Sequence, residues 1–205
     1  MSEQFYNILI VGVGGQGVLL ASEIISQVAM NAGMDVKKSE IHGMSQRGGV
    51  VTSHVRIGKK VYSPTIQQGE VDFLMGFEKA EALRFVGWMK KTGTVVVSHT
   101  TLVPAIVTSS KEFHYPEDAI ADLKNKAHNV IDVEADKIAG ELGNPRLVNT
   151  ILIGVLANLL PFEEKLWVDV IKSLVKEKFV AVNLQAFARG REFIWGGGSP
   201  PPRRN

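Results

Sequence analysis

NILIVGVGGQG, residues 7–17, decides the fold of this chain. Residues 8–11 are an unbroken aliphatic run, which is typical of a strand buried on both faces of a sheet. A glycine turn at 12–17 follows, and apolar residues at helical spacing then run from Val18 to Gly33. A buried strand, a glycine turn and a helix in this order predict the first unit of an α/β fold.

The rest of the chain alternates strand and helix patterns before it becomes mostly helical. Apolar or alternating stretches predict five more strands, at 34–41, 50–57, 71–77, 93–98 and 129–133. Helical patterns occur at 78–86, after Tyr115, and then at 136–142, 146–160, 163–176 and 180–193. We therefore expect an α/β fold with a Rossmann-like, mainly parallel sheet flanked by helices and a helical C-terminal region packed on it. A single domain is expected at 1–195, followed by a disordered Gly/Pro/Arg-rich tail at 196–205.

The composition excludes several classes of site and partner. The chain of 205 residues has no cysteine, so it cannot form a disulfide, a thiolate zinc site or an ordinary iron–sulfur cluster. Its net charge is only +2, which gives no basic field for a nucleic-acid partner. The longest apolar run, 151–160, is too short to span a membrane, and no targeting segment is visible. We therefore expect a soluble, cytoplasmic protein.

The glycine turn matches the G-x-G-x-x-G pattern of dinucleotide-binding folds. Small residues let the backbone approach a pyrophosphate, and the free amides of a helix N-terminus attract anions. The candidate binding residues are Gly12, Gly14, Gly15, Gln16 and Gly17. Against NAD, the residues after Glu40 form a polar loop that leads directly into a strand, where a dinucleotide unit would continue with a crossover helix. Two interpretations stay open, namely anion binding and close packing of strand, helix and loop.

The segment KKSEIHGMSQRGG, residues 37–49, concentrates polar side chains between glycines. Loops on a rigid scaffold often carry function, and an Arg between flexible neighbours suits a carboxylate or a phosphate. The candidate substrate or interface residues are Glu40, His42, Ser45, Gln46 and Arg47, with Asn149 from a later apolar helix. The alternative is an ordinary solvated loop. His42 and His54 match no metal-ligand spacing, so we assign no metal site, and no residue is assigned as catalytic.

Several long blocks of the sequence resemble a known family. GVGGQGVLLAS, VKKSEIHGMSQRGGVVTSHVRIG and VYSPTIQQGEVDFLMGFEKAEALR are similar to the beta subunits of indolepyruvate:ferredoxin oxidoreductases. Those subunits correspond to the gamma subunit or domain of the 2-oxoacid:ferredoxin oxidoreductases. The similarity continues through GELGNPRLVNTILIGVLA to about Phe193, and HGMSQRGG is much more specific than the glycine turn.

The resemblance implies a subunit of an enzyme that decarboxylates a 2-oxoacid, here indolepyruvate or an arylpyruvate, to an acyl-CoA and passes electrons to ferredoxin. In that family a larger alpha subunit holds thiamine diphosphate and the iron–sulfur clusters. The chain is therefore expected to bind neither, to be inactive alone, and to shape the cleft or the CoA path through the glycine turn and Arg47. Alone it could form a homodimer. The alternatives are a free-standing NAD(P)-dependent dehydrogenase and a nucleotide- or anion-binding module.

Overall fold

A six-stranded sheet forms the centre of the computed structural model, which describes residues 5–43, 49–103 and 114–193. The strands are β1 (Tyr6–Val13), β2 (Asp35–His42), β3 (Val50–Gly58), β4 (Val71–Gly76), β5 (Met89–Ser98) and β6 (Asn129–Val133). Their spatial order is β2-β3-β1-β4-β5-β6. Only β3 runs against the others, since it pairs antiparallel with both β1 and β2, whereas β1, β4, β5 and β6 pair in parallel. The predicted mainly parallel sheet is therefore confirmed.

Seven α-helices flank this sheet in the described ranges. They are α1 (Val18–Asn31), α2 (Lys79–Phe85), α3 (Ala119–Lys126), α4 (Ala135–Glu141), α5 (Val148–Ala157), α6 (Glu164–Leu174) and α7 (Glu177–Arg191). One core joins α1 and the C-terminal helices to one face of the sheet, and a smaller core lies beneath α2 and α3 on the other face. The predicted packing of the C-terminal helices on the sheet is confirmed by the larger core. No helix in the described ranges has the length and apolarity that a membrane span requires.

Helix α5 is buried at every position, which explains why its sequence is apolar without a polar face. It crosses α7 at a point where both helices carry glycine. A Cβ atom added at Gly154 would lie 2.3 Å from the carbonyl oxygen of Phe187, and one added at Gly190 would lie 2.1 Å from that of Ile151. The two backbones can approach this closely only because neither residue has a side chain.

Two predicted boundaries differ from the structure for identifiable reasons. Strand β5 begins at Met89 rather than at residue 93, because Lys90 forms an ion pair with Asp72 of β4 and so holds the polar start of the strand in the sheet. The helix predicted from residue 146 begins instead as a 3-10 turn at Pro145, whose preceding residue Asn144 accepts a hydrogen bond from the Arg146 amide. Neither the ion pair nor the cap is visible in the sequence as a periodic pattern of apolar residues, so neither boundary could be predicted from such a pattern.

Candidate functional site

The carboxyl ends of β1 and β4 lie side by side, and the connections leaving them go to opposite faces of the sheet. Strand β1 leads into α1 on the face of the larger core, whereas β4 leads into α2 on the other face. In open α/β sheets, ligands bind in the crevice at this kind of switch point. The glycine turn lies there, with Gly14 and Gly15 exposed to solvent. This edge of the sheet is therefore the candidate site.

The Gln16 side chain connects the two strands at the switch point. Its Oε1 atom accepts a hydrogen bond of 2.7 Å from the Val13 amide, and its Nε2 atom donates one of 2.9 Å to the carbonyl oxygen of Phe77. Both ends of this amide are thus used by backbone groups at the ends of β1 and β4. In the structure Gln16 therefore stabilises the turn, and its amide is not available to a ligand.

Glycine is required in the turn for two different reasons, a positive φ angle and a lack of room for a Cβ atom. Gly15 and Gly17 have φ angles of 99° and 85°, a region that L side chains rarely adopt. A Cβ atom at Gly12 would lie 2.9 Å from the Oε1 atom of Gln16, and one at Gly17 would lie 2.5 Å from the Nδ2 atom of Asn149. No atom lies within 4 Å of the Cβ position of Gly15, so the turn is open at that point.

The base of the loop between β2 and β3 is attached to the glycine turn. The Gly14 amide donates to the carbonyl oxygen of Gly49 over 2.9 Å, and the Gly43 amide donates to that of Val50 over 2.8 Å. The Gly14 amide is therefore already used, which removes one donor from any phosphate cradle. Ser45, Gln46 and Arg47, the centre of the predicted loop site, lie outside the described residues.

Glu40 and His42 lie on the face of β2 that α1 covers. The Ser22 hydroxyl of α1 donates to the Leu19 carbonyl oxygen over 2.9 Å and lies 3.3 Å from the Glu40 carboxylate, and Lys38 lies 3.2 Å from the same carboxylate. A ribose-binding acid would stand at the end of a strand adjacent to β1, but β3 lies between β1 and β2. The β2–β3 pair is an antiparallel hairpin, so the expectation that no crossover helix follows Glu40 is confirmed.

Asn149 is the one predicted residue outside these two loops that meets the glycine turn. It is 4% exposed, at the start of α5, and its amide packs against Gly17. Its Oδ1 atom accepts a hydrogen bond of 2.7 Å from the Thr150 amide. Thr150 Oγ1 in turn donates to Asn183 Oδ1 over 2.7 Å, and Asn183 Nδ2 donates to the Phe179 carbonyl oxygen over 2.9 Å. A buried polar chain therefore links the glycine turn to α7.

The two histidines of the hairpin do not converge. His42 is directly paired with Val51 and shares its face, whereas His54 is three residues further along β3 and points to the opposite face. The Nδ1 atom of His54 accepts a hydrogen bond of 3.2 Å from the Ile66 amide, and burial lowers the pKa of this imidazole. His54 thus has the ordinary polar contact that the sequence favoured. Within the described ranges, no group of three or more potential metal ligands comes together.

Glu78 is a buried acid at the same edge that sequence reasoning missed. It is 1% exposed and accepts hydrogen bonds from the Glu81 amide at 2.8 Å and the Leu102 amide at 3.4 Å. The Tyr115 hydroxyl also donates to it, and burial together with Glu78 raises the pKa of that phenol. The available signal was an acid directly after β4 and at the N-terminus of α2, the position of a helix cap. Its function here is to hold the chain that leaves β5.

A second, charged cleft opens at the ends of β5 and β6. It has a volume of about 470 Å³, and its lining includes His99, Asp132 and Arg189. His99 Nε2 lies 3.0 Å and Lys124 Nζ 2.9 Å from the Asp132 carboxylate. Burial alone would raise the pKa of Asp132, but the hydrogen bonds from Lys124 and His99 outweigh it and lower that pKa. The charges of the cleft largely pair with each other, so it offers no concentrated field to a ligand.

Comparison with known proteins identifies the family. Residues 7–193 match the family described as Pyruvate ferredoxin/flavodoxin oxidoreductase. The chain is 39% identical over 188 residues to "Indolepyruvate oxidoreductase subunit IorB" of Archaeoglobus fulgidus, covering 90% of this chain and 92% of that one. It is 35% identical over 189 residues to the protein of the same name from Thermococcus kodakarensis, covering 90% and 94%.

Solved structures show the same fold at low sequence identity. The gamma subunit of a keto/oxoacid ferredoxin oxidoreductase from Geobacter sulfurreducens superposes with a TM-score of 0.66 at 22% identity, over 90% of this chain and 95% of that one. The 2-oxoglutarate:ferredoxin oxidoreductase of Magnetococcus marinus gives 0.69 at 20% identity, over 92% of this chain and 30% of that one. The resemblance inferred from the sequence blocks is confirmed, and the chain belongs to the pyruvate ferredoxin/flavodoxin oxidoreductase family.

Proposed function

We propose that this chain is the small subunit of an indolepyruvate:ferredoxin oxidoreductase, which converts an arylpyruvate to an acyl-CoA with electrons passing to ferredoxin. The observation that carries the proposal is the 39% identity to an indolepyruvate oxidoreductase subunit over nine-tenths of both chains. In this proposal the chain works in the cytoplasm, within a complex, and is inactive alone.

The sequence contains no ligands for an iron–sulfur cluster, and the two acids at the carboxyl edge in the described ranges are already engaged. Iron–sulfur clusters are held by thiolates, and the sequence contains no cysteine. Thiamine diphosphate needs a magnesium-binding set of carboxylates and amides, but Glu40 is engaged by Lys38, and Glu78 by backbone amides and Tyr115. We therefore place thiamine diphosphate and the clusters on a larger alpha subunit, and derive no chemical step through them here.

The carboxyl edge of the sheet is the surface we assign to the larger subunit. Four of the eight large apolar side chains that are exposed in the described ranges lie on elements at this edge: Leu19 at 41%, Ile41 at 57%, Leu102 at 42% and Val103 at 43%. Exposed apolar side chains that cluster at one edge are typical of a surface that another protein covers. The glycine turn, Glu40 and His42 belong to this edge by topology. They would line the cleft or the CoA path once the subunits assemble, and an isolated chain would cover the edge by forming a homodimer.

The part of the chain that the structure describes argues against the dehydrogenase alternative. The Gly14 amide is bonded to Gly49, and β3 separates β1 from the strand that would carry the ribose-binding acid. A stand-alone binding module would need the carboxyl edge to be complete without a partner, and the exposed apolar side chains there argue against that.

The proposal is tested by purifying the tagged chain from its native cells. We expect a larger iron–sulfur protein to co-purify, and the complex to reduce ferredoxin or a viologen dye when arylpyruvate and CoA are added. Lys59→Glu, on an exposed turn at the opposite edge of the sheet, is the matched control for Ile41→Glu. Ile41→Glu should release the partner and the control should not. Recovery of the chain alone with tightly bound NAD(P) would overturn the proposal.

A further inference from the structure

We propose that the N-terminus of α1 and the side-chain amide of Asn149 together form a binding site for one anionic group, a phosphate or a carboxylate. The identity of that anion rests on the proposed function, which would supply a CoA phosphate or a 2-oxoacid carboxylate. The site itself rests on the geometry of the described residues.

The donors of this site converge on Gly17. As in any α-helix, the first amides of α1 have no partner within the helix, and within the described ranges the amides of Gly17, Val18 and Leu19 donate to no other backbone carbonyl. Asn149 packs its Nδ2 atom against Gly17, and this NH₂ group also has no acceptor among the described residues. Asn149 as a residue is 4% exposed, but its Nδ2 atom is not one of the buried side-chain atoms that lack a partner in the described ranges. Solvent therefore reaches this NH₂ group at the turn, where a ligand at the helix N-terminus would accept a hydrogen bond from it.

A hydrogen bond from the Thr150 amide fixes the orientation of the Asn149 side-chain amide. Its oxygen accepts from the Thr150 amide, so its NH₂ group must face the turn. The Thr150 hydroxyl has one proton and donates it over the shorter contact, to Asn183 at 2.7 Å rather than to Asn149 at 3.2 Å. Asn183 is 8% exposed and is itself anchored to α7 through the Phe179 carbonyl. Thr150 and Asn183 are therefore positioning residues for Asn149.

The surroundings suit an anion. The space above Gly15 is open, so a ligand can reach the turn without displacing a side chain. The first turn of α1 has no acidic residue. The Glu40 carboxylate on β2 is paired with Lys38 at 3.2 Å, which limits its repulsion of a second anion. The positive end of a 14-residue helix adds a favourable field.

The first experiment measures binding rather than turnover, so that it stays informative if the proposed substrate is wrong. Inorganic phosphate and then CoA are titrated into the purified native complex by calorimetry, for the wild type and for Asn149→Asp. Aspartate keeps the shape and the oxygen that faces Thr150 but replaces the donor by a negative charge. We expect the variant to lose one phosphate site per chain, or to bind it roughly 10- to 100-fold more weakly.

The control is Asn158→Asp, at the other end of α5, where the amide donates to the carbonyl oxygens of Arg191 and Phe193. It should leave anion affinity unchanged.

Thr150→Val removes only the positioning hydroxyl, so it should raise KM for the anionic ligand and leave kcat unchanged. A higher KM for CoA in Asn149→Asp identifies a phosphate, and a higher KM for the 2-oxoacid identifies a carboxylate. Equal phosphate affinity in the wild type and in a folded, assembled Asn149→Asp complex would overturn the site, whichever substrate the complex uses.

Discussion

Replacing Gln16 by Leu should destabilise the protein through two backbone groups at once. The substitution keeps the approximate size of the side chain but leaves the Val13 amide and the Phe77 carbonyl without their partner. An unsatisfied buried backbone group costs about 1–3 kcal/mol. Because Gln16 itself is only partly buried, water can reach part of this crevice, and we expect the lower half of the range for each group. The free energy of unfolding should therefore fall by about 2–4 kcal/mol in total.

Urea unfolding followed by circular dichroism measures this loss, with Gln27→Leu as the matched control. Gln27 also lies on α1 and uses its amide, but only for an exposed hydrogen bond to Asn31, so its loss should cost no more than about 0.5 kcal/mol. If Gln16→Leu costs less than about 1 kcal/mol, the amide does not hold β1 and β4 together and our account of the turn is wrong.

The variant Gln16→Glu adds a pH-dependent test of the same bridge. A carboxylate can still accept from Val13, but its second oxygen faces the Phe77 carbonyl oxygen and repels it. The protonated form can donate to that carbonyl, so folding raises the pKa of the introduced carboxyl above its unfolded value of about 4.3. The variant should therefore be closest to wild-type stability below about pH 4 and lose stability as the pH rises through the folded pKa. A constant deficit between pH 4 and 7 would contradict the proposed contact.

Two further predictions concern the core and the hairpin. Gly154→Ala should lower the free energy of unfolding by about 3 kcal/mol, because the added methyl group would overlap the Phe187 carbonyl oxygen. Gly140→Ala, where no atom lies within 4 Å of the added methyl group, should raise the free energy of unfolding by about 0.5 kcal/mol in the same urea assay. Burial lowers the pKa of His54 in the folded protein, so as the pH falls this imidazole is protonated in the unfolded chain before it is protonated in the folded one. The free energy of unfolding should therefore decrease as the pH drops below about 6.5. His54→Gln should remove this part of the pH dependence between pH 5 and 7.5, and an unchanged slope would show that another group causes it.

The elements most easily predicted from the sequence were those whose pattern comes from burial alone. Strand β1 and helix α5 are buried at almost every position, and their uninterrupted apolar runs reflect it. The place of β3 between β1 and β2 could not be predicted, because strand order depends on contacts between distant segments. The hairpin itself was anticipated, since the polar loop after Glu40 leaves no residues for a crossover helix.

The residues of the candidate site were chosen from the sequence, but their contacts could not be predicted from it. Asn149 was singled out as an amide on an apolar helix, yet its contact with Gly17 exists only because α5 packs beside α1. The opposite occurred for Gln16, which was placed with the anion-binding residues and instead bonds to the Phe77 carbonyl. In both cases the partner is far away along the chain, and local periodicity carries no information about it. The roles of Ser45, Gln46 and Arg47 stay predictions.

Glu78 fixes both ends of the connection between β5 and α3 by hydrogen bonds. One oxygen of its carboxylate accepts from the Leu102 amide before residues 104–113 and from the Tyr115 hydroxyl after them. The connection therefore starts and ends at the same carboxylate. The free-energy cost of closing a connection of this kind rises only by about 0.6 kcal/mol when its length doubles. Segments of other lengths and compositions can therefore be exchanged here without altering the sheet.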